Sequence, residues 1–188
     1  LRTGGYLFGS CWALQETIER VYPGVARRLE TLGEVLDTVR CGPAAPDSPW
    51  LEGVFEGGVR PVYTLQGAYL IDVLQPERCE VLIDSVESAE HWGGGNMAAW
   101  WTVSHGTVLD SVNHFDLQGL ALATHLRKAE ERQAWALDHM GLSWSDWRRT
   151  RDDKYWSRAT EASREVRDLS VFRLLTNFVR AKRIAGEG

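Results

Sequence analysis

Cys11, in Gly9-Ser10-Cys11-Trp12-Ala13, and His114-Phe115-Asp116, which begins 103 positions later, are residue types from which a nucleophilic triad is built. In that chemistry a thiolate at position 11 attacks a carbonyl, His114 takes the thiol proton, and Asp116 orients the imidazole. A thiol on a sharp strand-to-helix turn would face the first amides of the helix, which lower its pKa and donate to an oxyanion. The same residues also have a structural role open to them. Cys11 is then a small apolar filler at a strand end, and His114 a hydrogen-bonded residue at the rim of a sheet. Asn113 and Trp12, each beside a triad candidate, are the candidate ligand contacts. Turn capping is the competing role for the Asn side chain.

The elements that would hold these groups follow from local pattern. Gly5-Tyr6-Leu7-Phe8-Gly9 is a short apolar run between glycines and predicts a buried strand. Leu14, Ile18 and Val21 then recur at helical spacing until Pro23-Gly24, completing a strand, tight turn and helix. Strands are predicted over Val35 to Cys41, Val62 to Leu65, Ala68 to Leu74 and Cys79 to Ile83, with Gly42-Pro43, Gln66-Gly67 and Gln75-Pro76 as breaks. Pro49 to Val54 reads as a short helical turn after a Pro-rich loop, and Gly93-Gly94-Gly95 as a flexible loop. Ala98 to Val103 and Thr107 to Asn113 read as strands paired around His105-Gly106, the second leading straight to His114. Leu1 lies only a few residues before an apparent core strand. Earlier strands of the same sheet are therefore expected upstream, since a bare strand edge is a hazard.

Beyond Gln118 the pattern turns helical. Leu122, Leu126, Ala129, Ala136 and Met140 sit at heptad-like positions, Gly141 stops the run, and Ser143 or Ser145 can cap a short helix near Asp146. A final amphipathic helix is predicted over Asp168 to Arg183, with Leu169, Phe172, Leu175 and Val179 inward. Charge shifts at the same place. Residues 1–119 carry 7 basic and 16 acidic side chains, residues 120–188 carry 14 and 10. Two regions follow: an α/β part over 1–118 and a helical C-terminal extension over 119–188. Their opposite charge favours docking of the extension on an acidic surface, in this chain or a neighbour, and hence a protein partner or homo-oligomer through the helical C-terminus. Trp144, Trp147, Arg148, Arg149, Arg151, Lys154 and Arg158 form a basic-aromatic mixture from which nucleic-acid binding is the alternative, although Asp146, Asp152 and Asp153 interrupt its field.

Composition sets the outer limits. At 44% hydrophobic and 25% charged, the chain reads as a soluble globular protein, without the roughly 18-residue apolar stretch of a membrane helix. Cys11, Cys41 and Cys79 have no CxxC spacing and read as reduced thiols of a cytoplasmic protein. His91, His105, His114 and Asp116 with Cys11 match no compact ligand spacing, so no metal is expected. The three glycines at 93–95 lack both the GxGxxG pattern and a P-loop Lys, so no cofactor is expected either.

Several of these segments, in order, resemble the ThuA-like branch of the class I glutamine amidotransferase-like superfamily. Gly4 to Phe8 looks like its elbow strand, and Ser48-Pro49-Trp50-Leu51-Glu52-Gly53-Val54 is similar to its His-Pro-x-x-x-Gly-hydrophobic segment, with Ser48 where His is usual. Ala99-Trp100-Trp101-Thr102, His105-Gly106, Thr107-Val108-Leu109 and Asn113-His114 resemble its ending. The resemblance covers about residues 4–118. It implies a flavodoxin-like sheet with helices on both faces, of which this chain holds the second half. It also implies Cys11, His114 and Asp116 as the triad of a hydrolase acting on a small amide or ester, or else a non-catalytic module serving as a subunit or scaffold. Class I amidotransferases carry Gly-x-Cys-x-Gly and His-x-Glu. This chain has Ala13 at the second Gly and Asp116 at the Glu.

Overall fold

The computed structural model of the 188-residue chain describes residues 1, 3–30, 33–55, 62–113 and 173–184. Strand β1, Tyr6–Ser10, turns through Cys11, Trp12 and Ala13 into a π-helical turn, Leu14–Ile18, which finishes as α1, Glu19–Val21. Strands β2 (Ala26–Arg28), β3 (Val35–Arg40) and β4 (Gly42–Pro43) follow, then a 3-10 turn at Pro49–Leu51. After β5 (Val62–Ala68), β6 (Ile71–Val73) and β7 (Cys79–Asp84) come α2 (Val86–Trp92) and a hairpin of β8 (Asn96–Val103) and β9 (Gly106–Ser111). A helix over 173–184, here α3, lies far downstream.

These elements make an α/β protein around a five-stranded mixed sheet of order β1-β9-β8-β7-β4. β1 and β9 run parallel, which their long intervening chain allows, and the other three pairs are antiparallel. The β4 edge is two residues long and contains Pro43, which has no N–H to offer a further strand. Two small antiparallel pairs, β2 with β6 and β3 with β5, lie outside this sheet.

The register sorts side chains onto two faces, because successive residues of a strand point opposite ways. Phe8, Leu109, Trp100 and Glu80 form one row across four strands. On their face an aromatic layer closes. Trp50 lies 5.1 Å from Trp100 and 5.6 Å from Phe178 of α3, and Phe178 lies 5.2 Å from Tyr6. Such ring pairs add about 0.5–1.5 kcal/mol each beyond their buried area. Asn177 locks the helix down, donating from Nδ2 to the carbonyls of Trp50 and Glu52 at 2.9 Å each. Gly9, Asp110, Ala99 and Val81 form the neighbouring row on the opposite face, where the fully buried Leu14 and Ile18 pack.

Several local expectations need correction. α3 turns Leu174, Asn177 and Phe178 inward, while Val179 is 48% exposed, so the predicted stripe through Leu175 and Val179 is out of phase. The hairpin turn is Ser104-His105, since Gly106 already pairs with Val103. A side chain at 106 would press within 2.7 Å of the Gly5 carbonyl, which is why a glycine begins β9. Gln66-Gly67 does not break the chain. β5 runs through both, with a register shift opposite Val35 and Leu36. Gly93-Gly94-Gly95 is a packed connection: Gly93 closes α2 in the left-handed conformation, and a Cβ at Gly94 or Gly95 would come within 2.8 Å of Leu29 or the Ser85 carbonyl. β2 and α2 carry no strong sequence signal beyond Ser85, whose Oγ caps α2 by accepting from the Ser88 N–H. The helices expected between 118 and 149 and the basic-aromatic cluster of 144–158 lie outside the described residues. No described helix is long and apolar enough to cross a membrane.

Candidate functional site

Because β1 and β9 are parallel neighbours, both strands end on the same rim of the sheet. One step past β1, the Cys11 N–H donates to the Ser111 carbonyl at 2.9 Å, so the thiol-bearing residue is still tied to β9. There the backbone reverses. Cys11 has φ +53°, a left-handed conformation that costs an L-residue roughly 1–2 kcal/mol and concentrates at functional turns. The Glu16 N–H reaches the Trp12 carbonyl at 2.9 Å and starts the helical segment at once.

Packing explains the residues on either side of the thiol. A Cβ at Gly9 would collide with a carboxylate oxygen of Asp110 and lie 2.6 Å from Ile18 Cδ1 and 3.3 Å from Ala13 Cβ. Position 9 therefore requires glycine. With glycine there, the methyl group of Ala13 fits against the elbow.

The thiol itself is enclosed. Cys11 is 4% exposed, and its Sγ donates to the Gly67 carbonyl at 4.0 Å. Burial pushes its pKa up to about 11, against the pull of the Trp12 backbone N–H, and the negative charges of Asp110 and Glu34 push the same way. At neutral pH position 11 holds a thiol. The expected lowering by the helix start is outweighed by desolvation.

Trp12 stands at the mouth of the elbow, 52% exposed, with its indole Nε1 donating to the same Gly67 carbonyl at 2.6 Å. Around it the surface is polar. Arg28 donates to Gln15 Oε1 at 2.8 Å and lies 5.7 Å from the Tyr69 ring centre, and Tyr69 donates to Glu34 at 3.3 Å. Asn113 is fully buried where β9 ends. Its Oδ1 accepts from the Ser111 hydroxyl, and its Nδ2 has no partner among the described residues. The fold thus brings Cys11, Ser111 and Asn113 to one rim. His114 and Asp116 lie outside the described residues.

Asp110 is the residue sequence reasoning missed. It is fully buried, neither carboxylate oxygen has a hydrogen-bond partner among the described residues, and burial raises its pKa to about 7. An acid inside the apolar run Thr107-Val108-Leu109-Asp110-Ser111-Val112 was the available signal. Other candidates have local roles. Ser48 donates to Glu80 at 3.0 Å, and Trp100 donates to that same oxygen, so the serine anchors the 3-10 turn to β7. His91 faces Asp37 at 3.7 Å, and His105 sits in the hairpin turn. Among the described residues no three His, Cys, Asp or Glu side chains converge as a metal site. An open depression of about 610 Å³ near the β4 edge, between Pro43, Pro46, Leu51 and Phe55, has Asp47 and Glu52 as its charged lining groups among the described residues. No family model matches the chain, and no curated protein matches it.

Proposed function

We propose that this chain is an amidotransferase-like module of the ThuA-like kind that works as a subunit or interaction scaffold and does not turn over a substrate. The enclosed, protonated thiol of Cys11 carries this reading: a nucleophile needs exposure and a thiolate, and Cys11 has neither. The parallel β1–β9 pair, with an elbow and a helix leaving its rim, supports a flavodoxin-like relationship, with β8, β7 and β4 as an antiparallel continuation. The partner surface is the outer side of α3. On α3 it presents Val179 and Ile184 among the exposed Arg173, Arg180, Lys182 and Arg183, suited to an acidic face with apolar spots on a partner or a second copy. Three buried free thiols fit a reducing, cytoplasmic setting.

A thiol-specific probe tests this directly. At neutral pH Cys11 is expected to label as slowly as Cys79, whose pKa burial also raises to about 11. Labelling of Cys11 many times faster than Cys79 and Cys41 overturns the scaffold reading. It would favour the second one, a Cys11-His114-Asp116 hydrolase of a small amide or ester, for which the left-handed backbone at Cys11 speaks.

A further inference from the structure

Asp110 sits in a place built for an apolar side chain. Its lateral row is Gly9, Ala99 and Val81, and Ile18 of the helical segment approaches the same spot, where a Cβ on Gly9 would meet both Ile18 and the carboxylate. Among the described residues neither oxygen is hydrogen-bonded. Among the described residues, too, no counter-charge faces it from the elements packed around it. β1 contributes only the Cys11 thiol at its end, and β8 has no titratable side chain over Asn96–Val103. On the helical segment, Glu16 and Arg20 pair with each other at 3.0 Å on the surface, and Glu19 accepts from the Arg28 backbone N–H at 3.0 Å. Glu34, close enough to act on the thiol, adds negative charge only.

A carboxylic acid is tolerated in such a place; a carboxylate without partners is not. Ionisation is relieved when water reaches the group, and with no side chain on Gly9, the way in is to lift Ile18 and Ala13. We propose that Asp110 is a proton-linked latch beneath the Cys11 elbow: as the neutral acid it keeps the segment Leu14–Val21 seated on β1, and its ionisation unseats that segment. The latch works whether or not the elbow is catalytic. Burial has moved its titration up to about 7, so seating weakens as pH rises from about 4 to 7, with about the last tenfold of that change falling between pH 6 and 8.

Amide hydrogen exchange over Gly9–Val21, corrected for intrinsic rates, at pH 6 and pH 8 tests this on the full chain. Protection in the wild type is expected to fall about tenfold at pH 8, the population factor for a group one unit above its midpoint, and Asp110→Asn is expected to show equal protection at both. An unchanged wild-type protection, or the same fall in Asp110→Asn, overturns the latch. A carbon-13 titration of the Asp110 carboxyl in the wild type decides even where the variant does not fold. A midpoint near neutrality is the expected result, and one near pH 4 overturns the proposal.

Discussion

At position 11 the backbone adopts a conformation that an L-residue avoids, and its neighbours make that possible: no side chain at 9, a methyl at 13, and a hydrogen bond from the Cys11 N–H into β9. Gly9→Ala tests this packing. Its methyl group has no free volume, and forcing one into a filled core costs about 1–3 kcal/mol. A fall in the urea midpoint of that size is expected, and an unchanged midpoint would mean the elbow is looser than described. Cys11 stood out in the sequence by its residue type and setting, and Trp12 and Asn113 by lying beside the triad candidates Cys11 and His114. The state of the thiol did not, because it is set first by burial and then by the charges of Asp110 and Glu34, all supplied from elsewhere in the chain. Asp110 went unread for the same reason: a carboxyl's cost depends on what faces it across neighbouring strands.

α3 shows how far element patterns reach. Two apolar stripes run side by side along it, Leu175 with Val179 and Leu174 with Phe178, both at i, i+4 spacing. Periodicity identifies a helix from either stripe but cannot choose between them. The choice belongs to the aromatic layer of Tyr6, Trp50 and Trp100 and to the two carbonyls that Asn177 satisfies. Asn177→Ala leaves those carbonyls without their donor and is expected to cost about 1–3 kcal/mol. Phe178→Ala, which empties the centre of the layer, is expected to cost about 3–5 kcal/mol. Denaturant unfolding followed by tryptophan fluorescence measures both, and a Phe178 variant as stable as wild type would detach α3 from the layer. At α2 the single legible sign was Ser85. Ser85→Ala should lower stability by about 1 kcal/mol in the same assay, the usual worth of a helix N-cap.

For the molecule as a whole, one buried acid gives stability a pH dependence with a definite sign. Asp110 has a folded pKa raised above its ordinary 3.8, to about 7. The unfolded chain gives up this proton first, so the contribution is full below pH 4, declines between about 4 and 7, and is flat above. A shift of three units corresponds to roughly 4 kcal/mol, an upper figure for the effect. The difference in unfolding free energy between wild type and Asp110→Asn should therefore move in favour of the variant as pH rises from 5 to 7.5. A difference that does not change with pH would show that this carboxyl is not held neutral in the fold.

Periodicity, glycine and proline positions and the hairpin pattern were enough to predict β1, the helix after it, β3, β7 and the β8–β9 pair, because each is a short-range preference written in consecutive residues. They also brought Cys11 to attention as a triad candidate and Asn113 as a candidate ligand contact beside His114. Tertiary structure alone decided that β1 and β9 pair in parallel, that the rest of the sheet is antiparallel, which face of α3 is inward, and that the thiol is closed and protonated. Those outcomes depend on groups far apart in the chain meeting in a medium that excludes water, where hydrogen bonding and charge carry costs that no local pattern records.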